Sequence, residues 1–486
     1  MKHLFTMLLA LIAATANAQD FMVDGICYNI LSEDDRTVEV IESPYFCAGD
    51  ILIPEEVIHD SKAYLVTTIC DSVFWWRSFL TSVSMPSVTT IGDYAFDSCS
   101  ALTSVSMPSV TTIGDWAFAY CHDLTSVSMP QVTTIGSRVF NDCPALASVS
   151  MPSVTTIGDY AFSGCESFIS VSMPSVTTIG DDAFQYCYSM ASVSIPATCT
   201  LIGENPFRGC TALKDIVVDG NNPKYSALDG ALYDKGKTAL IGWPTAKGDI
   251  SILPSVTTIA GETFYMCDAL TSVYMPSVTT IGDWAFGSCR ALTSVSMPQV
   301  TTIGECVFYN LDSLTSVSMP AAITIGEAAF GGCSALTSVD IPASVTTISD
   351  YAFSGCNSLT SVYCHWVEPL ECDPDFEDEV LENAILFVPR ETIDVYRAVK
   401  PWSDFANIVE ARYSGIADTP ESGLSVKVID GAIIIGCDDS TASAPVVEVY
   451  SAGGQCVYRG TDTVIGGLTH GVYVVKVGGT VQKVAL

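Results

Sequence analysis

The residues with the greatest chemical potential in this chain are its cysteines, of which there are 19. Ten of them recur mostly at a spacing of 22 or 23 residues, which places them in one column of a repeated unit. A column of thiols could form disulfides, bind metal or lie buried as apolar groups. The ten are Cys99, Cys121, Cys143, Cys165, Cys187, Cys210, Cys267, Cys289, Cys333 and Cys356.

The repeat spacing favours burial for this cysteine column. Stacked identical coils would set its members about 4.8 Å apart with parallel Cβ vectors, which is poor geometry for a disulfide. Leu311 takes the same position in one unit, so the column accepts an apolar side chain. We therefore interpret these cysteines as small buried hydrophobic residues. Outside the column, two plausible disulfides are Cys27 with Cys47 and Cys437 with Cys456.

A second column changes freely while the rest of the unit stays constant. It lies three residues after the isoleucine of each unit, and five of its members are aromatic. Tyrosine and tryptophan are favoured anchors in recognition, so this column is a candidate partner-contact ridge. The alternative is that each ring simply packs over the next coil. The five residues are Tyr94, Trp116, Tyr160, Trp284 and Tyr351.

Patterns typical of enzymes are absent from the sequence. There is no HExxH, GxSxG or P-loop motif, and the repeated serines have no base near them in sequence. The spacing of Cys364, His365 and Cys372 is wrong for a zinc knuckle. We predict that the protein is not an enzyme, with no catalytic residues, no cofactor and no metal. The histidines after residue 18 are His59, His122, His365 and His470.

The composition excludes several classes of partner. The formal charge of −34 argues against nucleic acid and anionic membrane, because an acidic surface releases no counterions from either. The simple alternative is that the acidic residues only keep a long protein soluble. With 49% hydrophobic and 15% charged residues, the chain is typical of a folded protein.

The elements that position these columns follow from a 22-residue period, most visible in the recurring Met-Pro dipeptide. In one representative unit, Val105 and Met107 alternate with serines, which predicts a half-buried strand. Pro108 cannot donate to a ladder and ends that strand. A second short extended piece is predicted between Val110 and Ile113. Stacking of such units joins the strands into a parallel sheet.

The second half of the unit is expected to turn back toward the next strand. Gly114 is expected to allow a sharp bend, and Asp115 to cap a one-turn helical segment ending near Phe118. A single unit buries too little apolar surface to offset its ordering, so neighbouring units must stabilise one another. Twelve phenylalanines should form a continuous interior column: Phe74, Phe96, Phe118, Phe140, Phe162, Phe184, Phe207, Phe264, Phe286, Phe308, Phe330 and Phe353.

The unit resembles the BspA-like leucine-rich repeats, of the LRR_5 type, found in bacterial surface proteins. The resemblance covers roughly residues 65 to 364 and implies a β-rich α/β solenoid, a right-handed leucine-rich-repeat coil with a parallel sheet. It also implies a surface-exposed binding or adhesion protein. The residues that fill the family's frame are Leu102, Val105, Met107, Pro108, Val110, Ile113, Gly114, Ala117, Phe118 and Cys121.

Between Leu213 and Leu270 the regular spacing stretches to 57 residues. This insert predicts an irregular double coil with a projecting hairpin, because apolar pairs recur between its glycines and prolines. Asn222-Pro223 and Trp243-Pro244 are among its residues that resemble the family's long variant unit.

The chain begins with a predicted secretory signal over residues 1–18. Lys2 supplies the positive start, Leu4 to Ala14 is an apolar run too short to span a bilayer, and Ala16-Asn17-Ala18 is a small-residue cleavage site. We predict a secreted or cell-surface protein without a transmembrane segment.

The remaining domain boundaries follow from changes of pattern. We expect an N-terminal cap at 19–64, the solenoid at 65–365 with its irregular long unit at 214–253, and a C-terminal cap at 366–413. A linker at 414–422 would lead to a small β-sandwich at 423–486. In that last segment Val449-Tyr450 and Gly471-Val472-Tyr473 are part of a pattern similar to the sorting domain of type IX secretion substrates.

Two functional hypotheses remain from the sequence. The first is a monomeric, adhesin-like protein whose solenoid binds a protein or glycan of a host or neighbouring cell. The second is a passive stalk or surface-coat spacer. The variable aromatic column favours the first hypothesis, and the nearly identical serine positions favour the second.

Overall fold

The computed structural model describes residues 19–43 and 48–410 and, between 424 and 485, the strands given below. The chain divides into two compact units, one ending at Glu410 and the other beginning at Ala411. The predicted signal sequence at 1–18 and the predicted linker at 414–422 lie outside the described residues.

The first unit is a solenoid in which each coil contributes one stretch of backbone to each of three walls. The serine wall contains the strands that precede Met-Pro, paired in parallel and in register, so that Ser126 lies beside Ser148. Its strands, in chain order, are Gly49–Leu52, Leu80–Ser84, Ser104–Ser106, Ser126–Ser128, Ser148–Ser150, Ser170–Val171, Ser192–Ile195, Asp215–Val218, Ile250–Ser251, Ser272–Tyr274, Ser294–Ser296, Ser316–Ser318, Ser338–Ile341, Ser361–Cys364, Ile385–Val388 and Asn407–Glu410.

The threonine wall contains the second extended piece of each coil, again in register, with Thr112 beside Thr134 and Ile113 beside Ile135. The insert divides it into two sheets. The first contains Phe21–Val23, Ile26–Ser32, Thr37–Ile41, Glu56–His59, Lys62–Ile69, Thr90–Ile91, Thr112–Ile113, Thr134–Ile135, Thr156–Ile157, Thr178–Ile179 and Leu201–Ile202. The second contains Tyr225–Leu228, Ala231–Asp234, Ala239–Gly242, Thr258–Ile259, Thr280–Ile281, Thr302–Ile303, Thr324–Ile325 and Thr347–Ile348.

The third wall, here the turn wall, is built from turns that bond to the next coil at every second residue. The backbone N–H groups of Tyr94, Phe96 and Ser98 donate to carbonyls of the following coil at 2.9, 2.8 and 2.8 Å. Two residues four apart in this segment adopt a left-handed conformation, with φ of 56° at Tyr94 and 61° at Ser98. The backbone is irregular, yet its donors form a continuous ladder with the next coil.

The expected helical segment capped by Asp115 is wrong. Oδ1 of Asp115 instead accepts the backbone N–H of Ser137 in the next coil at 2.8 Å, and Asp93 does the same for Asp115 at 2.8 Å. We call the acidic residues at this repeat position the acid ladder; Ser137 and Gly261 interrupt it. Each carboxylate therefore ties two coils together and does not cap its own.

Gly114 was expected to allow a sharp bend through its backbone freedom, and this explanation of the glycine is wrong. Its φ is not in the left-handed region, but a Cβ at Gly114 would lie 2.7 Å from the backbone nitrogen of Asp93 in the preceding coil. The glycine is required because two backbones approach closely at this point.

The predicted column of phenylalanine rings is confirmed as two segments, one on each side of the insert. From Phe74 to Phe207 neighbouring ring centroids lie 4.9 to 5.9 Å apart. From Phe264 the spacing is 4.7 to 5.5 Å, and the column continues past Phe353 to Phe376. Phe376 escaped prediction because no Met-Pro or column cysteine accompanies it.

The insert contains the expected hairpin and extends it to a three-stranded antiparallel meander of Tyr225–Leu228, Ala231–Asp234 and Ala239–Gly242. The last of these strands pairs in parallel with Thr258–Ile259 and so restarts the threonine wall. The hydrophobic core separates into two clusters here, with Leu232 in the first and Tyr233 in the second. The insert is thus the junction between two half-arrays.

The serine wall continues beyond residue 365 through Ile385–Val388 and Asn407–Glu410. Helix α1 (Asp378–Asn383) precedes the first of these two strands, and helix α2 (Ile393–Tyr396) and a 3-10 turn (Trp402–Asp404) lie between them. Buried Tyr396 and Trp402 close the end of the core.

The second unit contains two antiparallel sheets. One consists of Leu424–Ile429, Ala432–Cys437 and Val464–Ile465. The other consists of Val447–Ser451, Cys456–Gly460, Val472–Val477 and Thr480–Ala485. Among the few side chains described here, Val449 and Val475 are fully buried.

Gly114→Ala should destabilise the solenoid by about 1–3 kcal/mol, the usual cost of forcing extra atoms into a packed site. Gly220→Ala is the matched control, because a Cβ there meets no atom within 4 Å and its φ is unstrained. Urea denaturation followed by circular dichroism measures both changes. An equal effect of the two substitutions would contradict the close-approach explanation.

Candidate partner-contact site

The five residues of the predicted ridge share an unusual backbone conformation. Their φ angles are 56°, 60°, 56°, 57° and 59° for Tyr94, Trp116, Tyr160, Trp284 and Tyr351. Glycine or asparagine is the usual residue at such angles, and other residues there cost roughly 1–2 kcal/mol each. The turn wall sets this conformation, but it does not require aromatic side chains, since Ser72 and Ala328 occupy the same column.

The structure brings three of the five residues into one stack. The rings of Tyr94 and Trp116 lie 5.9 Å apart and nearly parallel, at 14°. The guanidinium of Arg138 then lies between the next two rings, 4.8 Å from the centroid of Trp116 and 4.4 Å from that of Tyr160. Arg138 was not predicted as part of the ridge. Its membership of the same column was the available signal.

The stack leaves ring edges exposed more than ring faces. Trp116 carries Tyr94 on one side and Arg138 on the other, and Tyr94 is 40% exposed. A sugar binds an aromatic platform through its face, so this stack offers little area for that mode. Tyrosine and tryptophan also carry a hydroxyl and an indole N–H, which suit contact with a polar protein surface.

Beyond the junction the ridge continues as a separate patch. Trp284 makes edge contacts with Tyr265 at 6.2 Å and Tyr309 at 5.3 Å. Tyr351 is 55% exposed and borders a cavity with Tyr309. The predicted single ridge is therefore two patches, one on each half-array.

A further group of exposed aromatic side chains lies in the first coil and was not predicted. Trp75 and Trp76 are 51% and 68% exposed and make an edge contact at 6.0 Å. The indole N–H of Trp75 donates to Asp97 at 3.1 Å. The signal in the sequence was the pair of adjacent tryptophans. Their unit also lacks the alanine that precedes the column phenylalanine in most other units.

A half-buried ion pair joins the two half-arrays at the junction. Arg208, in the last coil of the first half, pairs with Glu262, in the first coil of the second. The guanidinium also lies 4.5 Å from the ring of Tyr265. Burial raises the pKa of Glu262 to about 7, although Arg208 acts in the opposite direction; Asp182 and Glu204 add to the rise.

The column cysteines are buried, as predicted, and they also make hydrogen bonds that we did not predict. The thiol of Cys121 donates to the carbonyl of Phe96 at 3.3 Å, and that of Cys143 to the carbonyl of Phe118 at 3.2 Å. Burial raises the pKa of the Cys143 thiol to about 12 and also raises that of the Cys121 thiol well above its usual value. These thiols are structural groups in an apolar environment.

The two disulfides considered outside the column stay predictions. Cys47 and the side chains of Cys437 and Cys456 lie outside the described residues. Within the described part of the chain, no group of three or more His, Cys, Asp or Glu side chains is arranged to hold a metal ion. In the same part of the chain, no helix is both long and apolar enough to cross a membrane.

A profile of the BspA type leucine rich repeat region matches six copies over residues 67–154, 133–228 and 248–365. The fold is similar to that of a leucine-rich cell surface protein from Faecalibacterium prausnitzii, with 29% identity and a TM-score of 0.58, covering 82% of this chain and 95% of that one. A leucine-rich repeat protein from Bacteroides ovatus is 27% identical, with a TM-score of 0.57, over 81% and 100% of the two chains.

The pneumococcal vaccine antigen PcpA has a similar fold, with a TM-score of 0.60 over 81% of this chain and 98% of its own, at 19% identity. No curated protein matches this chain.

The ionisation of Glu262 should reduce stability as the pH rises. Its pKa is about 7 when folded and about 4.3 when unfolded, so the folded state holds the proton more tightly between these values. The stabilisation that protonation provides is complete below pH ~4.3 and is lost as the pH rises through about 7.

Glu262→Gln should therefore lose less stability than the wild type between pH 5 and pH 8. Denaturation midpoints across this range measure the difference. Glu371→Gln, an exposed acid beyond the last repeat, serves as the control and should leave the slope unchanged. Parallel wild-type and Glu262→Gln curves would refute this role of the buried carboxyl.

The column thiols should resist alkylation by iodoacetamide at pH 8 in the folded protein, because they are buried in the core. In Cys121, Cys143, Cys165 and Cys187 burial also raises the thiol pKa, so that the reactive thiolate is scarce. In guanidinium without reductant all the column thiols should react. Peptide mass spectrometry measures the labelling of each cysteine. Rapid labelling in the folded state would contradict burial, and no labelling in guanidinium would indicate disulfides.

Proposed function

The chain belongs to the BspA-type leucine-rich repeat family, and we propose that it is a non-enzymatic, adhesin-like binding protein, secreted or exposed at the bacterial cell surface. Its solenoid engages a protein or glycan of a host or neighbouring cell. The cell-surface description of the Faecalibacterium protein and the repeat match support this location and role.

The observation that carries the proposal is the set of bulky side chains at left-handed backbone positions. Trp116 and Tyr160 occupy positions where their backbone conformation is costly, and where Ser72 shows that a small residue suffices. The fold imposes the backbone conformation on this column but does not demand an aromatic side chain there, so the aromatic residues point to selection for another purpose. Contact with a partner is that purpose, since the rings and Arg138 form a surface on the turn wall.

The geometry of the first stack favours a protein over a glycan as the partner. The stacked rings turn their faces toward one another and toward Arg138, so their edges and polar atoms meet the solvent. Tyrosine, tryptophan and arginine are also the residue types most enriched at the energetic centres of protein interfaces.

The alternative function is a passive stalk or surface-coat spacer, which the uniformity of the serine wall favours. Ser126, Ser128 and Ser148 are exposed and nearly identical from coil to coil. Such a face offers little on which a specific partner could discriminate. The binding role predicts that substitutions on the turn wall weaken partner binding, whereas the stalk role predicts no partner binding to weaken.

We further propose that residues 423–486 are a cleavable sorting domain for type IX secretion, as their sequence pattern suggests. Its two antiparallel sheets are compatible with a small β-sandwich. The Gly453-Gly454 and Gly466-Gly467 turns lie outside the described residues.

The double variant Trp116→Ser and Tyr160→Ser should weaken partner binding at least tenfold while the fold is kept, because hot-spot aromatic residues typically contribute about 2 kcal/mol or more. The purified array would be tested against immobilised extracellular-matrix proteins and polysaccharides by surface plasmon resonance. Serine is tolerated at this column, as Ser72 shows, so unfolding is not expected.

Ser128→Ala with Ser150→Ala on the serine wall is the matched control and should bind as the wild type does. Unchanged affinity of the aromatic variant would remove the turn wall as the contact surface. Failure of the wild type to bind any panel member at micromolar concentration would favour the stalk.

A further inference from the structure

A cavity of about 360 Å³ opens on the turn wall of the second half-array. Two rings line it, those of Tyr309 and Tyr351, and Ala328 lies between them along the chain. The other lining residues are three glycines and a serine, so no side chain of the protein fills the space. This volume is sufficient for one long side chain of a partner.

Ala328 occupies the same repeat position as Arg138 in the first half-array, and both residues are left-handed, with φ of 48° and 56°. At the earlier position a guanidinium fills the equivalent region beside the rings of Trp116 and Tyr160. At the later position the side chain is reduced to a methyl group. The second patch therefore has two rings near this position, Tyr351 of the same column and Tyr309 of another, but no cation.

Guanidinium groups against aromatic rings are a recurrent contact on this wall. Arg208 repeats the arrangement at the junction, where it lies 4.5 Å from the centroid of Tyr265 and pairs with Glu262. A cation over a ring is attracted by the ring's quadrupole, and a planar guanidinium can also stack. The protein itself thus shows which chemical group this surface accommodates.

The residues next to two lining residues carry the matching charge. Glu327 immediately precedes Ala328 and Asp350 immediately precedes Tyr351; both are exposed and occupy the repeat position of the acid ladder. In the coil that supplies Arg138, the ladder position is the neutral Ser137 instead. An incoming cation would be attracted by these carboxylates, and an anionic group would be repelled.

From these observations we propose that the cavity between Tyr309 and Tyr351 binds an arginine side chain of the partner protein. The inference rests on the proposed binding function and adds the chemistry of one contact. Arginine is favoured over lysine because its flat group stacks on a ring while it donates to neighbouring carboxylates.

The test uses the full array and two short probe peptides. One is acetyl-Gly-Arg-Gly-amide and the other contains citrulline, which has the shape of arginine without its charge. Isothermal titration calorimetry should give the arginine peptide roughly tenfold tighter binding, as expected for loss of a cation–π contact together with attraction to carboxylates. Equal affinity for the two peptides would overturn the proposal, as would no binding of the arginine peptide at millimolar concentration.

Ala328→Arg should fill the cavity with the protein's own guanidinium and weaken binding of the arginine peptide at least tenfold. Arg138 shows that this position accepts arginine. The matched control is Ser72→Arg, which adds the same charge in the same column of a distant coil and should leave peptide binding unchanged. Tyr351→Leu should weaken binding without any change of charge.

Unchanged peptide binding in both Ala328→Arg and Tyr351→Leu would place the arginine elsewhere and contradict the proposal. The outcome is independent of the partner assay with Trp116→Ser and Tyr160→Ser. If that assay fails while the cavity binds arginine selectively, the proposed function falls and the site remains. If the partner assay succeeds and the cavity does not bind arginine selectively, the cavity site is refuted and the proposed function stands.

Discussion

The structure depends on hydrogen bonding between consecutive coils in register. Within each sheet of the serine and threonine walls, strands of consecutive coils pair in parallel, and in the turn wall alternate N–H groups bond to the next coil. No single coil buries enough apolar surface to be stable alone, so this register determines whether the solenoid folds. Every repeated side chain can be understood by asking what it does for the coil before or after its own.

Several recurrent residues act between coils more than within them. The carboxylate of Asp115 accepts an N–H from the next coil, and the thiol of Cys121 donates to a carbonyl of the preceding one. Gly114 leaves room for the backbone of its neighbour. The aromatic stack follows the same logic at the surface, because the rings of successive coils meet each other before they meet a partner.

The coil, its columns and the interruption at the insert could all be predicted from the sequence, because a strict period reports which side chains share a face. The roles of Asp115 and Gly114 could not, since a repeated residue has the same sequence neighbours whether it bonds within its coil or across to the next. The place of Arg138 between two rings and the pairing of Arg208 with Glu262 were missed for a related reason. Both contacts involve residues that differ from coil to coil, and the repeat period carries no information about such residues.

For the candidate site, the column was identified from its variability alone, and the structure adds its division into two patches. The first patch is filled by the protein's own guanidinium, whereas the second retains an open cavity. This difference arises from a single repeat position, arginine in one coil and alanine in another. A uniform scaffold with a few variable positions is well suited to changing partners without changing the fold.

Hydrogen–deuterium exchange at the backbone of the turn wall tests the in-register stacking most directly. The amides of Phe96, Phe118 and Phe140 each donate to the following coil at 2.8 to 2.9 Å although no regular strand or helix contains them. If the coils stack as described, these amides should exchange as slowly as those of the threonine wall and only on unfolding of the array. Exchange within seconds, at the rate of unbonded loop amides, would contradict the account.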